Sequence, residues 1–369
     1  MKLKISKSII ENILTNAINF VEKKDNSQIT SHILLEAEDK LIIKATDTEF
    51  GIEFNDETSE IIQKGKATIN GKKFYEIIKA LNDDFINIEI ENNIATISQN
   101  HSVYKLPTFE ANEFPEFPEI KNLQKINLNS LDFIEGLKKV FLVIDNNNPK
   151  YELNGALLDI SDKLNLVATD TKRLALYSIN TNLEKEIQII IPKKAISEIK
   201  KLFLDNFEIY FDEINLIIKS NNITFFTQLI NGKFPDYKRI IPNVYNNIIK
   251  LNKNLFTKAI KQINIISNEI KITINQNKLL LESISDETFE AKTDIEIESN
   301  LENFTFAVNS RFLLDFLNVA NEEIELCLNE ENIPFTLKDK SFQTIIMPLT
   351  IWYNNKKVLI NLKEINGWI

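Results

Sequence analysis

The sequence predicts an α+β protein of three repeated domains, each with two helices and antiparallel sheets. Two observations carry this. One phrase recurs six times: an apolar residue, a helix-starting Ser, Asn or Pro, then an amphipathic run. Between these runs the pattern changes to alternation of strand formers.

The phrase stands at Ile5-Ser6, Ile69-Asn70, Leu128-Asn129, Ile191-Pro192, Leu251-Asn252 and Val308-Asn309, and its second members are 64, 59, 63, 60 and 57 residues apart. Ser and Asn side chains accept from the orphan amides of a first turn, and Pro suits the first helical position. Apolar residues at helical spacing follow each start, for example Ile10, Leu14 and Ala17, or Phe256, Ala259, Ile260 and Ile263. Each stripe suits a helix of about four turns with one buried face. Leu41 to Phe54, Leu164 to Ile179 and Leu279 to Ile297 read as strand pairs. Ala45-Thr46-Asp47-Thr48 is echoed by Ala168-Thr169-Asp170-Thr171 and faintly by Ser283-Ile284-Ser285-Asp286, with Asp as the turn former.

A longer repeat groups the six units in pairs. Phe114-Pro115-Glu116-Phe117 matches Phe234-Pro235-Asp236-Tyr237. The expected domains are residues 1–121, 122–248 and 249–351, followed by a tail, 352–369, that holds both tryptophans.

Composition narrows the function. Cys327 is the single cysteine, so no intrachain disulfide forms, which fits a reducing cytoplasm. No apolar run is long enough to span a bilayer, and the N-terminus lacks a signal-peptide core. There is no phosphate-binding loop, dinucleotide fingerprint or nucleophile motif. His32 and His101 lie far apart without an acid cluster. The expectation is a protein with no catalytic residues, metal or cofactor. An enzyme built from distant carboxylates is the alternative, and metal bound to the purified protein is its mark.

A net charge of −10 argues against nucleic acid as a partner. The helical segments 6–24, 70–84, 129–145, 192–206, 252–268 and 309–323 carry +1, 0, −1, +2, +3 and −2, however, so they total +3 against −13 elsewhere. Three similar domains in series make an arc, which a second copy closes. Twelve helices about 10 Å apart give a circle about 38 Å across, with an opening near 28 Å. That is wide enough for a duplex gripped by its phosphates.

Four segments resemble the bacterial β sliding clamp family, the β subunits of DNA polymerase III. They are Tyr151-Glu152-Leu153-Asn154-Gly155, Ala168-Thr169-Asp170-Thr171-Lys172-Arg173-Leu174-Ala175, Phe234-Pro235-Asp236-Tyr237-Lys238-Arg239-Ile240-Ile241-Pro242 and Met347-Pro348-Leu349. The resemblance covers residues 1–351 and implies the DNA clamp fold in a head-to-tail dimeric ring. It implies a processivity factor that encircles duplex DNA without sequence preference, tethers the replicative polymerase and is opened by a separate ATP-driven clamp loader. It also implies a partner-peptide groove between the second and third domains. The matching positions are Lys150, Leu153, Thr169, Thr171, Lys172, Arg173, Leu174, Pro235, Arg239, Ile240, Asn309, Phe312, Ile345, Ile346, Met347, Pro348 and Leu349. Their apolar members suit a partner's Leu or Phe, and Arg173 and Arg239 its polar groups; Leu153 and Ile345 also read as plain interdomain core. DNA contacts carry over to Lys24, Lys150 and Tyr151, and helix charge adds Lys193, Lys194, Lys200 and Lys201. The implied dimer contact sets Tyr104 and Leu106 against Ile265 and Ile266 of a second copy, where helix burial is the plainer reading of the Ile pair.

The family usually ends just after the Met-Pro pair, and this chain runs on for a further eighteen residues from Trp352. The hypothesis is that Val358-Leu359-Ile360-Asn361-Leu362 occupies the groove and weakens partner binding. A peptide-binding scaffold that never encircles DNA is the remaining rival; it shares the groove but needs no basic bore.

Overall fold

The computed structural model describes residues 1–23, 25, 27–161, 163–180, 186–285 and 289–350. Lys24, Asp286 and the tail from Trp352 lie outside the described residues.

Six α-helices occur among the described residues: α1 (Lys7–Ala17), α2 (Gly71–Ala80), α3 (Ser130–Val140), α4 (Lys193–Leu202), α5 (Lys253–Ile263) and α6 (Ser310–Val319). Each follows directly on one of the six repeated phrases. Asn70 accepts the amide of Lys73 at 3.1 Å, Asn129 that of Leu131 at 2.9 Å, Asn252 that of Leu255 at 3.1 Å and Asn309 that of Arg311 at 3.0 Å. Ser6 instead pairs its hydroxyl with that of Ser8, and Pro192 stands one residue before the first helical turn.

The helices have ten or eleven residues, about three turns rather than four. After α1 and α3 the chain tightens into 3-10 turns at Ile18–Phe20 and Phe141–Val143. This shortening changes the charge count. Over their true extents the helices carry 0, +2, 0, +3, +3 and 0, together +8, because Asp83, Asp84, Asp145, Asp205, Glu322 and Glu323 fall beyond helix ends, while residues 18–24 take a net +1 out of the first. The sixth helix is neutral, not acidic.

The chain folds into two compact units that cut through the middle repeat. The first comprises Met1–Leu131 with Glu198–Leu229. It holds a five-stranded sheet in the order Glu60–Gln63, Lys2–Ser6, Phe85–Glu91, Ile94–Gln99 and Ser102–Pro107. Its eight-stranded sheet runs Gln124–Ile126, Glu208–Phe211, Asn215–Lys219, Ile223–Gln228, Phe50–Asp56, Leu41–Thr46, His32–Ala37 and Gly65–Asn70. Strand Phe50–Asp56 of the first repeat pairs antiparallel with Ile223–Gln228 of the second, so one sheet continues across a repeat boundary. Phe20, Phe50, Phe203 and Phe225 pack as a ring chain in this core, with centroids 4.9–6.4 Å apart.

The second unit comprises Asp132–Ser197 with the chain from Ile230 onward. Its eight-stranded sheet runs Ile187–Pro192, Gly155–Ile160, Lys163–Thr169, Arg173–Asn180, Phe342–Ile346, Phe335–Asp339, Glu323–Leu328 and Asn247–Asn252. A four-stranded sheet has the order Lys292–Glu296, Lys278–Ser283, Glu269–Asn275, Phe304–Asn309. Here Arg173–Asn180 pairs antiparallel with Phe342–Ile346, again joining two repeats.

A buried ion pair ties α3 to the strands of the third repeat. The Lys139 ammonium lies 3.2 Å from Asp339 and donates to the Val319 carbonyl at 2.6 Å. Burial works to raise the Asp339 pKa, but hydrogen bonds from Asn321 and Lys139 outweigh it and hold the carboxyl below its ordinary value. Replacing Lys139 by Met strands that carboxylate, and we expect a loss of about 3–5 kcal/mol in urea unfolding.

His32 is buried on strand His32–Ala37, stacked on Phe109 at 4.2 Å and in contact with the Thr68 hydroxyl at 3.2 Å. Burial pushes its pKa down to about 4. Unfolded imidazole titrates near 6.5, so the unfolded chain binds the extra proton between these values. The His32 contribution is complete above about pH 6.5 and is lost as pH falls toward 4. Urea midpoints at pH 7 and 4.5 should differ less in His32→Gln than in the wild type; an equal drop in both rules this out.

Candidate functional site

The candidate site is built on the turn Thr169–Arg173. Asp170 Oδ1 accepts the amides of Lys172 and Arg173 at 3.1 and 3.0 Å, and the Thr169 hydroxyl donates to the Arg173 carbonyl at 2.7 Å. These bonds hold Thr171 at φ +71°, a conformation costly for a β-branched residue. The turn launches strand Arg173–Asn180. Across it Arg173 faces Ile346 and Leu174 faces Ile345. The Met347 amide then donates to the Lys172 carbonyl at 3.0 Å, and the Leu349 amide to the Ala307 carbonyl at 2.8 Å. Met347-Pro348-Leu349 is thereby strung from the turn to strand Phe304–Asn309, with Met347 and Pro348 half-buried.

Successive strand residues point to opposite faces, so the predicted groove residues divide in two. On one face Leu153, Leu174, Ile240 and Ile345 join Leu157, Leu176, Phe234 and Tyr237 in a buried cluster. These four form the packed floor. The Tyr237 hydroxyl donates to Asp159 at 2.7 Å and anchors the connector that carries Pro235, Arg239 and Ile240. Pro235 is half-buried, and Arg239 is 80% exposed with its Nε 2.8 Å from Asp236.

On the other face Thr171, Lys172, Arg173, Asn309 and Phe312 line a cleft of about 470 Å³ with Leu142, Ile144, Asp145, Lys193 and Arg311. Arg173 corrects an expectation. Its side chain is only 4% exposed and is already engaged. Nε donates to Asp170 at 3.0 Å, Nη2 donates to the Leu142 carbonyl at 3.1 Å and lies 2.8 Å from Asp315, and the guanidinium stacks 4.5 Å from the Phe312 ring. It clamps the end of α3 and the start of α6 to the turn instead of reaching for a ligand. Ile346 and Thr169 are fully buried, while Lys150 is exposed. Asp170, Asp315 and Leu142 were missed by sequence reasoning. Asp170 was read only as a turn former, and nothing in the local pattern marks Asp315 as the partner of Arg173.

The predicted DNA residues separate likewise. Tyr151 is 63% exposed beside Lys150. On α4, Lys193 is half-buried and donates to the Ile144 carbonyl at 2.6 Å, with its ammonium 5.4 Å from the Phe141 ring centre. Burial lowers its pKa, and repulsion from Arg173 and Arg311 adds to this against attraction from Asp145 and Asp315. Lys193 is thus spent on the fold. Lys194 and Lys201 are exposed and Lys200 half-buried; Lys201 sits 2.8 Å from Glu198. Tyr104 and the half-buried Leu106 lie on the edge strand Ser102–Pro107. Ile265 is 82% exposed and Ile266 is also exposed, so helix burial does not account for the Ile pair. Among the described residues no helix is long and apolar enough to cross a membrane.

A chain of paired α/β repeats joined through continuous antiparallel sheets is the architecture of DNA clamps. Family models for the DNA polymerase III beta subunit match residues 1–118 (N-terminal domain), 127–236 (central domain) and 238–350 (C-terminal domain). A beta sliding clamp of Helicobacter pylori is 38% identical over 95% of this chain and 100% of its own length. One from Haemophilus influenzae is 27% identical with the same coverage. The crystal structure of the H. pylori beta clamp bound to a DNA ligase peptide superposes with a TM-score of 0.89 at 38% identity, covering 95% of this chain and 100% of that one. The chain belongs to the DNA polymerase III beta subunit family, the beta sliding clamps of DNA replication. It is a non-catalytic processivity subunit with three domains.

The double duty of Asp170 gives a prediction. Asp170→Ala frees two turn amides and the Arg173 guanidinium, and should cost about 1–3 kcal/mol. Asp47→Ala removes the matching turn bonds but releases no guanidinium, because Phe50 stands where Arg173 does. Chemical denaturation of the two variants should therefore rank Asp170→Ala as the more harmful; equal losses would refute the clamping role of Arg173.

Proposed function

We propose that the chain encircles duplex DNA as a head-to-tail homodimer in the cytoplasm, with domain boundaries near residues 121 and 248. It tethers the replicative polymerase and other partners by their peptides. The observation that carries the peptide reading is the Met347-Pro348-Leu349 segment, strung from the Lys172 carbonyl to Ala307 above a preformed apolar floor. A partner's Leu or Phe lies between Met347, Pro348 and Pro235, and exposed Arg239 meets its polar end. The DNA ligase peptide held by the H. pylori clamp supports this use.

DNA is held weakly, through phosphates, by the basic helices and by Lys24, Lys150, Tyr151, Lys194, Lys200 and Lys201. Lys193 is left out because its ammonium is committed to Ile144. The edge strand Ser102–Pro107 is exposed along most of its length, a template for pairing that a second copy covers. Tyr104 and Leu106 then meet the second copy's Ile265 and Ile266. Loading onto closed circles requires the separate clamp loader.

Two outcomes test this. After loading on a nicked circular plasmid, the protein should stay bound at high salt and fall off once the circle is cut; equal, salt-sensitive release from both forms leaves only a peptide-binding scaffold. Met347→Lys should weaken a fluorescent DNA ligase peptide at least about tenfold, near 1.4 kcal/mol, without lowering the melting temperature. Unchanged affinity removes Met347 from the groove.

A further inference from the structure

We infer that the first unit contains a second groove of the same build, closed by the chain's own Phe226 and Phe117, and that this plug limits partner peptides to one site per chain. The inference rests on the peptide reading above. It starts from a structural repeat. The turn Thr46–Phe50 copies Thr169–Arg173 bond for bond: Asp47 accepts the amides of Glu49 and Phe50 at 3.1 Å, the Thr46 hydroxyl donates to the Phe50 carbonyl at 2.9 Å, and Thr48 sits at φ +80°. The outgoing strands also match. Phe50 faces Thr227 and Gly51 faces Phe226, as Arg173 faces Ile346 and Leu174 faces Ile345. The Gln228 amide donates to the Glu49 carbonyl at 2.7 Å, as the Met347 amide does to Lys172.

Within this shared frame the side chains differ where a peptide would lie. Gly51 stands in place of Leu174, and Phe226 in place of Ile345. The Phe226 ring fills the space above the glycine: a Cβ on Gly51 would sit 2.4 Å from its Cε1. Phe117, in place of Tyr237, packs edge-on against Phe226 at 4.7 Å. Tyr237 is instead held by Asp159 through a hydroxyl that Phe117 lacks. What remains is a cleft of about 310 Å³ with an apolar wall of Phe117, Ile120, Ile217 and Phe226 and with Lys121 and Lys219 on its lining. That is the low end for ligand pockets, about 300–1,000 Å³, room for one side chain and not for a peptide.

Charge is reversed as well. Glu49 stands for Lys172, Glu119 for Arg239, and Glu53 replaces the apolar Leu176. An occupant drawn to the cationic rim of the real groove meets Glu49 here, while Glu53 and Glu119 are occupied by Lys44 at 3.6 Å and Lys121 at 3.9 Å. Steric closure and charge therefore act together against the same peptide.

Calorimetric titration with the DNA ligase peptide tests this. The wild type should bind one peptide per chain. Gly51→Leu/Phe226→Ile/Glu49→Lys/Glu119→Arg places the groove's residues in the first unit and should bind two. A folded variant that still binds one overturns the inference, as does a wild type that binds two. If the core exchange prevents folding, Phe117→Ala/Phe226→Ala/Glu49→Lys/Glu119→Arg removes both plug rings without adding bulk at Gly51 and should show a weak second site; its absence is equally decisive. A wild type that binds no peptide defeats the peptide reading instead. In that case the plug is read with the apolar dye 8-anilinonaphthalene-1-sulfonate, whose fluorescence should rise in Phe117→Ala/Phe226→Ala, and an unchanged signal overturns it.

Discussion

The structure depends on hydrogen-bonded pairing between a strand of one repeat and the last strands of the next. Phe50–Asp56 with Ile223–Gln228, and Arg173–Asn180 with Phe342–Ile346, turn what could have been separate small sheets into two continuous eight-stranded ones. A sheet that crosses a repeat boundary cannot pivot there without breaking a ladder of backbone bonds. This pairing brings the Thr169–Arg173 turn beside Met347, and it sets Lys139 against Asp339.

Once that frame exists, function depends on small differences hung upon it. The same Asp-centred turn carries Arg173 in one unit and Phe50 in the other. The same strand position holds Leu174 over an apolar floor, or Gly51 beneath a phenylalanine ring. A repeated scaffold supplies two equivalent places, and side-chain volume and charge decide which one is open. The helices follow a similar logic. Their shared framework is apolar and buried, and they gather lysine: +8 on six short helices in a chain whose net charge is −10, with Lys139 and Lys193 tied into the fold and the others nearer solvent. The basic charge of this acidic protein is thus concentrated on its helices, as the proposed grip on an anionic duplex requires.

Much of this was legible in the residues. The phrase of an apolar residue followed by Asn marks helix starts because an Asn side chain must satisfy the first-turn amides, and four of the six starts use that bond. The echo of Ala-Thr-Asp-Thr located two turns of the same geometry. Helix lengths were overdrawn, since apolar residues continue through the 3-10 turns after α1 and α3 and periodicity does not register the tightening. Arg173 was placed at the site, but its ties within the fold were not legible. Its partners Leu142 and Asp315 lie 31 residues before it and 142 residues after it, and come together only when the sheet forms.

The amino-acid sequence by itself determined the number of repeats, the six helix starts with their four Asn caps, and the Asp turns. All of these are settled by residues within a few positions of one another. Only the tertiary structure decided that the compact units cut through the middle repeat, that Lys193 and Arg173 are spent on the fold, and that Phe226 fills the space over Gly51. Strand partners and buried ion pairs are chosen by which distant surfaces meet, and local spacing carries no record of that choice.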